Sequence, residues 1–86
     1  PAETAKVLGE VLEIVDASRD FDKETLEGQI REVAEKRGWK PRELFMTLRV
    51  AVTGRTVSPP LFESMQVIGR EITRRRLRQA AAFLKG

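Results

Sequence analysis

The residues of this chain best placed to hold a ligand lie in one run, Leu48 to Glu71, reading LRVAVTGRTVSPPLFESMQVIGRE. Arg49 stands no more than two helical turns before a stop at Gly54. A short hydroxyl-bearing loop follows, with Thr56 and Ser58, and a new helix opens on Ser58, Pro59 and Pro60 with Leu61 and Phe62 in its first turn. A guanidinium forks onto paired acceptors of a base edge. Hydroxyls and main-chain groups complete such contacts where bases have left their stack. Two prolines remove two of the donors at the helix start, which leaves the corner stiff and partly apolar. The proline rings, Leu61 and Phe62 then offer flat surfaces to splayed bases. The same residues also fit plain architecture, because Ser-Pro-Pro is a common helix opening and Leu61 and Phe62 fit a core.

Catalysis and metal binding find little support in the composition. The chain has 86 residues, no histidine and no cysteine. That removes the commonest general base, the commonest metal ligand and every disulfide or thiolate site. No carboxylate pair sits on an apolar helix stripe where burial would raise its pKa, so no catalytic residue and no metal ligand is assigned. No apolar run approaches a membrane span, and no secretory pattern opens the chain.

The elements that must position the corner are helical. Ala5, Leu8, Val11, Leu12 and Val15 form the stripe of a first helix over about residues 2–16. Asp22 is the N-cap candidate of a second, with Phe21 and Leu26 as its hydrophobic staple and Leu26, Ile30, Val33 and Ala34 as its buried face. Gly38 fits the position just past its end. Pro41 opens a third, with Trp39 and Leu44 as a staple and Lys40 as a poor cap. That helix carries Leu44, Leu48, Ala51 and Val52 on one face and Met46 and Val50 opposite, which predicts packing on both sides. Leu61, Met65 and Ile68 belong to a short fourth helix closed by Gly69, and a fifth runs over about residues 70–84. No strand pattern competes. The expectation is a single all-α domain over residues 1–86, a compact bundle of about five helices.

Charge divides the chain. Residues 1–46 hold 8 lysines and arginines against 11 carboxylates, and residues 47–86 hold 8 against 2. A basic half suggests a surface facing a polyanion, although basic faces are also simply solvated. On the last helix, Ile72, Leu77, Ala80, Phe83 and Leu84 share one arc, with Arg74, Arg75 and Arg78 on the other side as phosphate-contact candidates. Arg76 falls inside the apolar arc, as a structural arginine would if held by an acid of a neighbouring helix.

Spaced identities from Trp39 to Leu77 carry a resemblance. Leu48-Arg49 followed by Ala51, Thr53-Gly54, Ser58-Pro59-Pro60-Leu61-Phe62-Glu63, Ile68-Gly69 followed by Glu71, and Arg76-Leu77 together resemble the C-terminal anticodon-binding domain of bacterial-type glutamyl-tRNA synthetases, which are class I aminoacyl-tRNA synthetases. The resemblance implies a C-terminal piece of a cytoplasmic or organellar ligase that attaches glutamate to its tRNA. It implies anticodon contacts at Arg49, Ser58, Pro59, Leu61 and Phe62. ATP and Mg²⁺ would act in the parent enzyme's catalytic domain, whose His-Ile-Gly-His signature a chain without histidine lacks, so no cofactor is expected in this piece. The implied partners are a glutamate-accepting tRNA and the remainder of the synthetase chain, with no membrane, and the piece itself a monomer. A helical DNA-binding domain or a protein-interaction bundle is the alternative reading.

Overall fold

A computed structural model describes residues 2–18, 21–55 and 60–85. Four helices account for most of them: α1 (Ala2–Ala17), α2 (Lys23–Lys36), α3 (Pro41–Thr53) and α4 (Leu61–Lys85). The count is four rather than about five because the two segments expected on either side of Gly69 form one bent element. Gly69 has φ 88° and ψ 165°, a backbone state outside the helical region. The expected boundary is therefore present as a kink inside α4.

The ends of the helices follow local chemistry. The Asp22 carboxylate accepts from the Thr25 N–H at 3.0 Å and from the Thr25 hydroxyl at 2.9 Å. Those hydrogen bonds, the main-chain one first, hold its pKa below the ordinary aspartate value. Gly38 takes φ 76°, and the Trp39 N–H returns to Ala34 O at 2.8 Å, which closes α2. Lys40 offers no side-chain cap to α3. The Glu43 carboxylate instead reaches back to accept from the Lys40 N–H at 3.3 Å.

The core runs through all four helices. Val7, Leu8, Val11 and Val15 of α1, Leu26, Ile30, Val33 and Ala34 of α2, and Leu44, Leu48 and Val52 of α3 are buried with Met65 and Leu77 of α4. Helices α1 and α4 make the most extensive pairing. Phe21 joins this core with φ 52°, a rare state for an aromatic residue. Neighbours fix it there: its N–H donates to Ser18 Oγ at 2.9 Å, its carbonyl accepts from Gln66 Nε2 at 2.6 Å, and Arg70 lies over its ring while donating to Ser18 O.

Two expected stripes are corrected. Helix α3 is not packed on both sides: Met46 and Val50 are 42% and 43% exposed and line an open apolar groove with Phe83 and Leu84. In the second half of α4, Thr73 and Leu77 are buried while Ile72 and Phe83 are exposed. Leu77, Ala80 and Leu84 of the expected arc do pack on the core, while Thr73 and Ala81 stand in the places expected of Ile72 and Phe83.

Candidate nucleic-acid interface

The bend between α3 and α4 is built from both sides. Gly54 ends α3 in the left-handed region at φ 75°, with its N–H on Val50 O at 2.8 Å. The Thr53 hydroxyl donates to Arg49 O at 2.6 Å and accepts from the Arg55 N–H at 3.1 Å, which stiffens the last turn. Arg76, on α4, donates to Val52 O at 2.6 Å. It is thus held by a carbonyl at the C-terminal end of α3, and not by the acidic residue expected from its place in the sequence. A cation there suits the negative end of the helix dipole. At the start of α4 the Ser64 N–H donates to Pro60 O at 2.9 Å.

Leu61 and Phe62 do not offer flat faces to solvent. They are 3% and 6% exposed and belong to the core. Phe62 meets Phe45 of α3 edge to face, with ring centres 5.4 Å apart and an interplanar angle of 89°. Their geometry anchors the opening of α4 against α3. Ser58, Pro59 and Thr56 lie outside the described residues.

Arg49 is half-buried, and its Nε is shielded from solvent with no hydrogen-bond acceptor among the described residues. A buried donor left unmade costs roughly 1–3 kcal/mol. The side chain lines a hollow of about 660 Å³ together with Arg31, Lys40, Arg42, Phe45 and Met46. On the other flank of the bend, a second hollow of about 310 Å³ is lined by Thr53, Arg55, Glu63, Val67 and Arg76. The corner thus carries cations on both flanks and an unpaired guanidinium donor on one.

The arginines of the last helix separate into two kinds. Arg74 is engaged by Glu71 at 2.9 Å and Asp16 at 3.6 Å. Arg75 and Arg78 are exposed and form no ion pair with a described residue. Arg31, Lys40, Arg42 and Phe45 were not singled out in the sequence. Arg42 and Phe45 share a face of α3 with Arg49 at i, i+3, i+7 spacing, a signal the sequence carried, and Lys40 stands at the N-cap of that helix; only Arg31 is brought there from α2.

Residues 1–81 match the anticodon binding domain family. The chain belongs to that family. It is 48% identical over 87 aligned residues to a glutamate–tRNA ligase of Saccharopolyspora erythraea, covering 91% of this chain and 17% of that protein. It is 42% identical to the glutamate–tRNA ligase of Rhodococcus jostii, covering 99% of this chain and 18% of the relative. A third, from Herpetosiphon aurantiacus, is 38% identical over 98% of this chain and 17% of its own length. This anticodon-binding domain therefore spans less than a fifth of the ligases it is similar to. Among the described residues, no group of three or more Asp, Glu, His or Cys is placed to hold a metal ion, and no helix is long and apolar enough to cross a membrane.

Proposed function

We propose that this domain reads the anticodon of a glutamate-accepting tRNA for a glutamate–tRNA ligase, as that enzyme's C-terminal part. ATP and Mg²⁺ would serve glutamate attachment in the rest of the ligase. The observation that carries the reading is Arg49. Its Nε–H is shielded and without an acceptor among the described residues, yet its side chain borders an open, cation-lined hollow along α3. A base edge with two acceptors satisfies that guanidinium. The terminal amino groups fork onto that edge, since Nε is shielded, and a base with the wrong edge leaves them unpaired; that difference is the source of discrimination.

Around Arg49 the proposed contacts are Ser58 and Pro59, with Leu61 and Phe62 fixing the bend from inside the core. Arg75 and Arg78, exposed on α4, serve as phosphate contacts that position the RNA without reading it. Arg74 can join them only by leaving Glu71 and Asp16.

The test is competition binding with the 86-residue chain. A synthetic anticodon stem-loop of a glutamate tRNA should outcompete duplex DNA of equal length. Arg49→Ala should weaken stem-loop binding by about 1–3 kcal/mol and relax preference at one anticodon base. An equal loss for every anticodon sequence would refute a reading role for Arg49. Preference for duplex DNA would replace this reading with the DNA-binding alternative.

A further inference from the structure

The hollow beside Arg49 extends over the first turns of α3, where Arg31, Lys40 and Arg42 line it and Phe45 forms an apolar wall. Four cations there face one carboxylate, Glu43, which is turned onto the Lys40 N–H. Lys40 and Arg42 are exposed and make no ion pair with a described residue. The Arg31 guanidinium rests 5.3 Å from the centre of the Phe45 ring and reaches Glu27 at 3.0 Å, both partners being about half-exposed. An exposed pair one helical turn apart is worth little and yields readily to a phosphate.

This concentration of positive charge runs against its surroundings, since residues 1–46 carry an excess of acid. Folding separates the signs in part. Glu10, Glu13 and Asp22 line the cleft between α1 and α2. Lys36 of α2 lines that cleft too and Lys23 pairs with Glu63, whereas Arg31 joins Lys40, Arg42 and Arg49 in a separate concave site whose low-dielectric walls strengthen their field. A nucleotide whose base enters such a hollow leaves its phosphates on the rim.

We infer that the α2–α3 corner is a path for the RNA backbone, with the phosphates flanking the base at Arg49 held by Arg31, Lys40 and Arg42. The inference rests on the reading of Arg49 proposed above. It adds a phosphate track along the first turns of α3, apart from the hollow that Arg76 lines. Its contacts are electrostatic and carry no base preference. Arg31 differs from the other two in being pre-oriented by the Phe45 ring, so it forks onto a phosphate with little loss of freedom.

The experiment measures binding of the 86-residue chain to an anticodon stem-loop RNA across a salt series, by fluorescence anisotropy. Lys40→Gln and Arg42→Gln should each weaken binding about threefold to tenfold at low salt, equally for matched and base-changed loops. Each should also lower the slope of log affinity against log salt by about 0.7, the value for one single-strand phosphate contact. Lys6→Gln, an equal charge change at an exposed site on α1, should leave that slope unaltered. Arg31→Lys should retain more binding than Arg31→Gln. All these sites are solvent-facing, and circular dichroism checks that each variant folds. An unchanged slope for Lys40→Gln and Arg42→Gln, in a chain that still loses binding with Arg49→Ala, would overturn the phosphate track and leave the anticodon reading standing. A change of base preference in either variant would overturn it as well. Failure of the unaltered chain to bind the stem-loop would overturn both.

Discussion

Adding one methyl group to Gly69 should unfold this domain more easily, although there is room for it. A Cβ built at Gly69 meets nothing within 4 Å, so no clash contributes to the cost. The backbone does. At φ 88° and ψ 165°, Gly69 occupies a region that residues with a side chain avoid at a cost of about 1–3 kcal/mol. Relaxing to helical angles offers no escape, because the buried side chains on either side of the kink then lose their common phase. Met65 and Leu77 could not both face the core, and the Arg76 contact to Val52 O would be displaced. In a domain of this size each kcal/mol shifts Tm by roughly 4–8 °C, so Gly69→Ala should lower Tm by roughly 5–20 °C. Gly28→Ala is the paired measurement. Gly28 lies inside α2, exposed, with no positive φ and nothing within 4 Å of an added Cβ. There the same methyl should stabilise by about 0.5–1 kcal/mol through helix propensity. Thermal and urea unfolding followed by far-ultraviolet circular dichroism read both. A Gly69→Ala variant as stable as the unaltered chain, or one that gains as Gly28→Ala does, would show that α4 does not need its kink.

Two further outcomes are expected. Thr73 is fully buried and its hydroxyl has no hydrogen-bond partner among the described residues, so Thr73→Val, which keeps the shape, should be neutral or stabilise by up to about 1 kcal/mol in urea unfolding; a clear loss would mean that the hydroxyl is paired. Hydrogen bonding to Arg37 holds the Glu10 carboxyl below the ordinary glutamate value, with burial opposing, while the same pair raises Arg37. The Glu10 pKa is lower folded than unfolded, so this contribution is present above the unfolded value and is lost as pH falls through the folded one. Glu10→Gln should therefore flatten the fall in stability between neutral and acidic pH, and an acid limb as steep as the original would refute the role given to the pair.

The elements were legible in the sequence wherever the signal was local. Asp22 as a cap, Gly38 and Gly54 as helix stops and the stripes of α1 and α2 depend on residues within one or two turns of each other. The stripe of α1 still missed Val7, which is fully buried because α4 covers a second side of that helix. The two apolar faces of α3 were equally visible, but periodicity does not say which faces find a partner. Met46 and Val50 did not. The candidate site was read in part. The bend and Arg49 stood out as a compact run of types, whereas the partner of Arg76 is a backbone carbonyl, and no side-chain pattern announces one.

By itself the sequence determined that the chain is helical, that it has neither histidine nor cysteine, and that an arginine precedes a run with glycine and two prolines, because each of these depends on residue type and near spacing. Only the tertiary structure decided that Leu61 and Phe62 turn inward, that α4 bends at Gly69, and that Arg31 of α2 joins the cations of α3 in one hollow. Those outcomes depend on which helices approach each other and at what rotation. Burial and charge proximity are properties of pairs of elements, and no single stretch of chain encodes them.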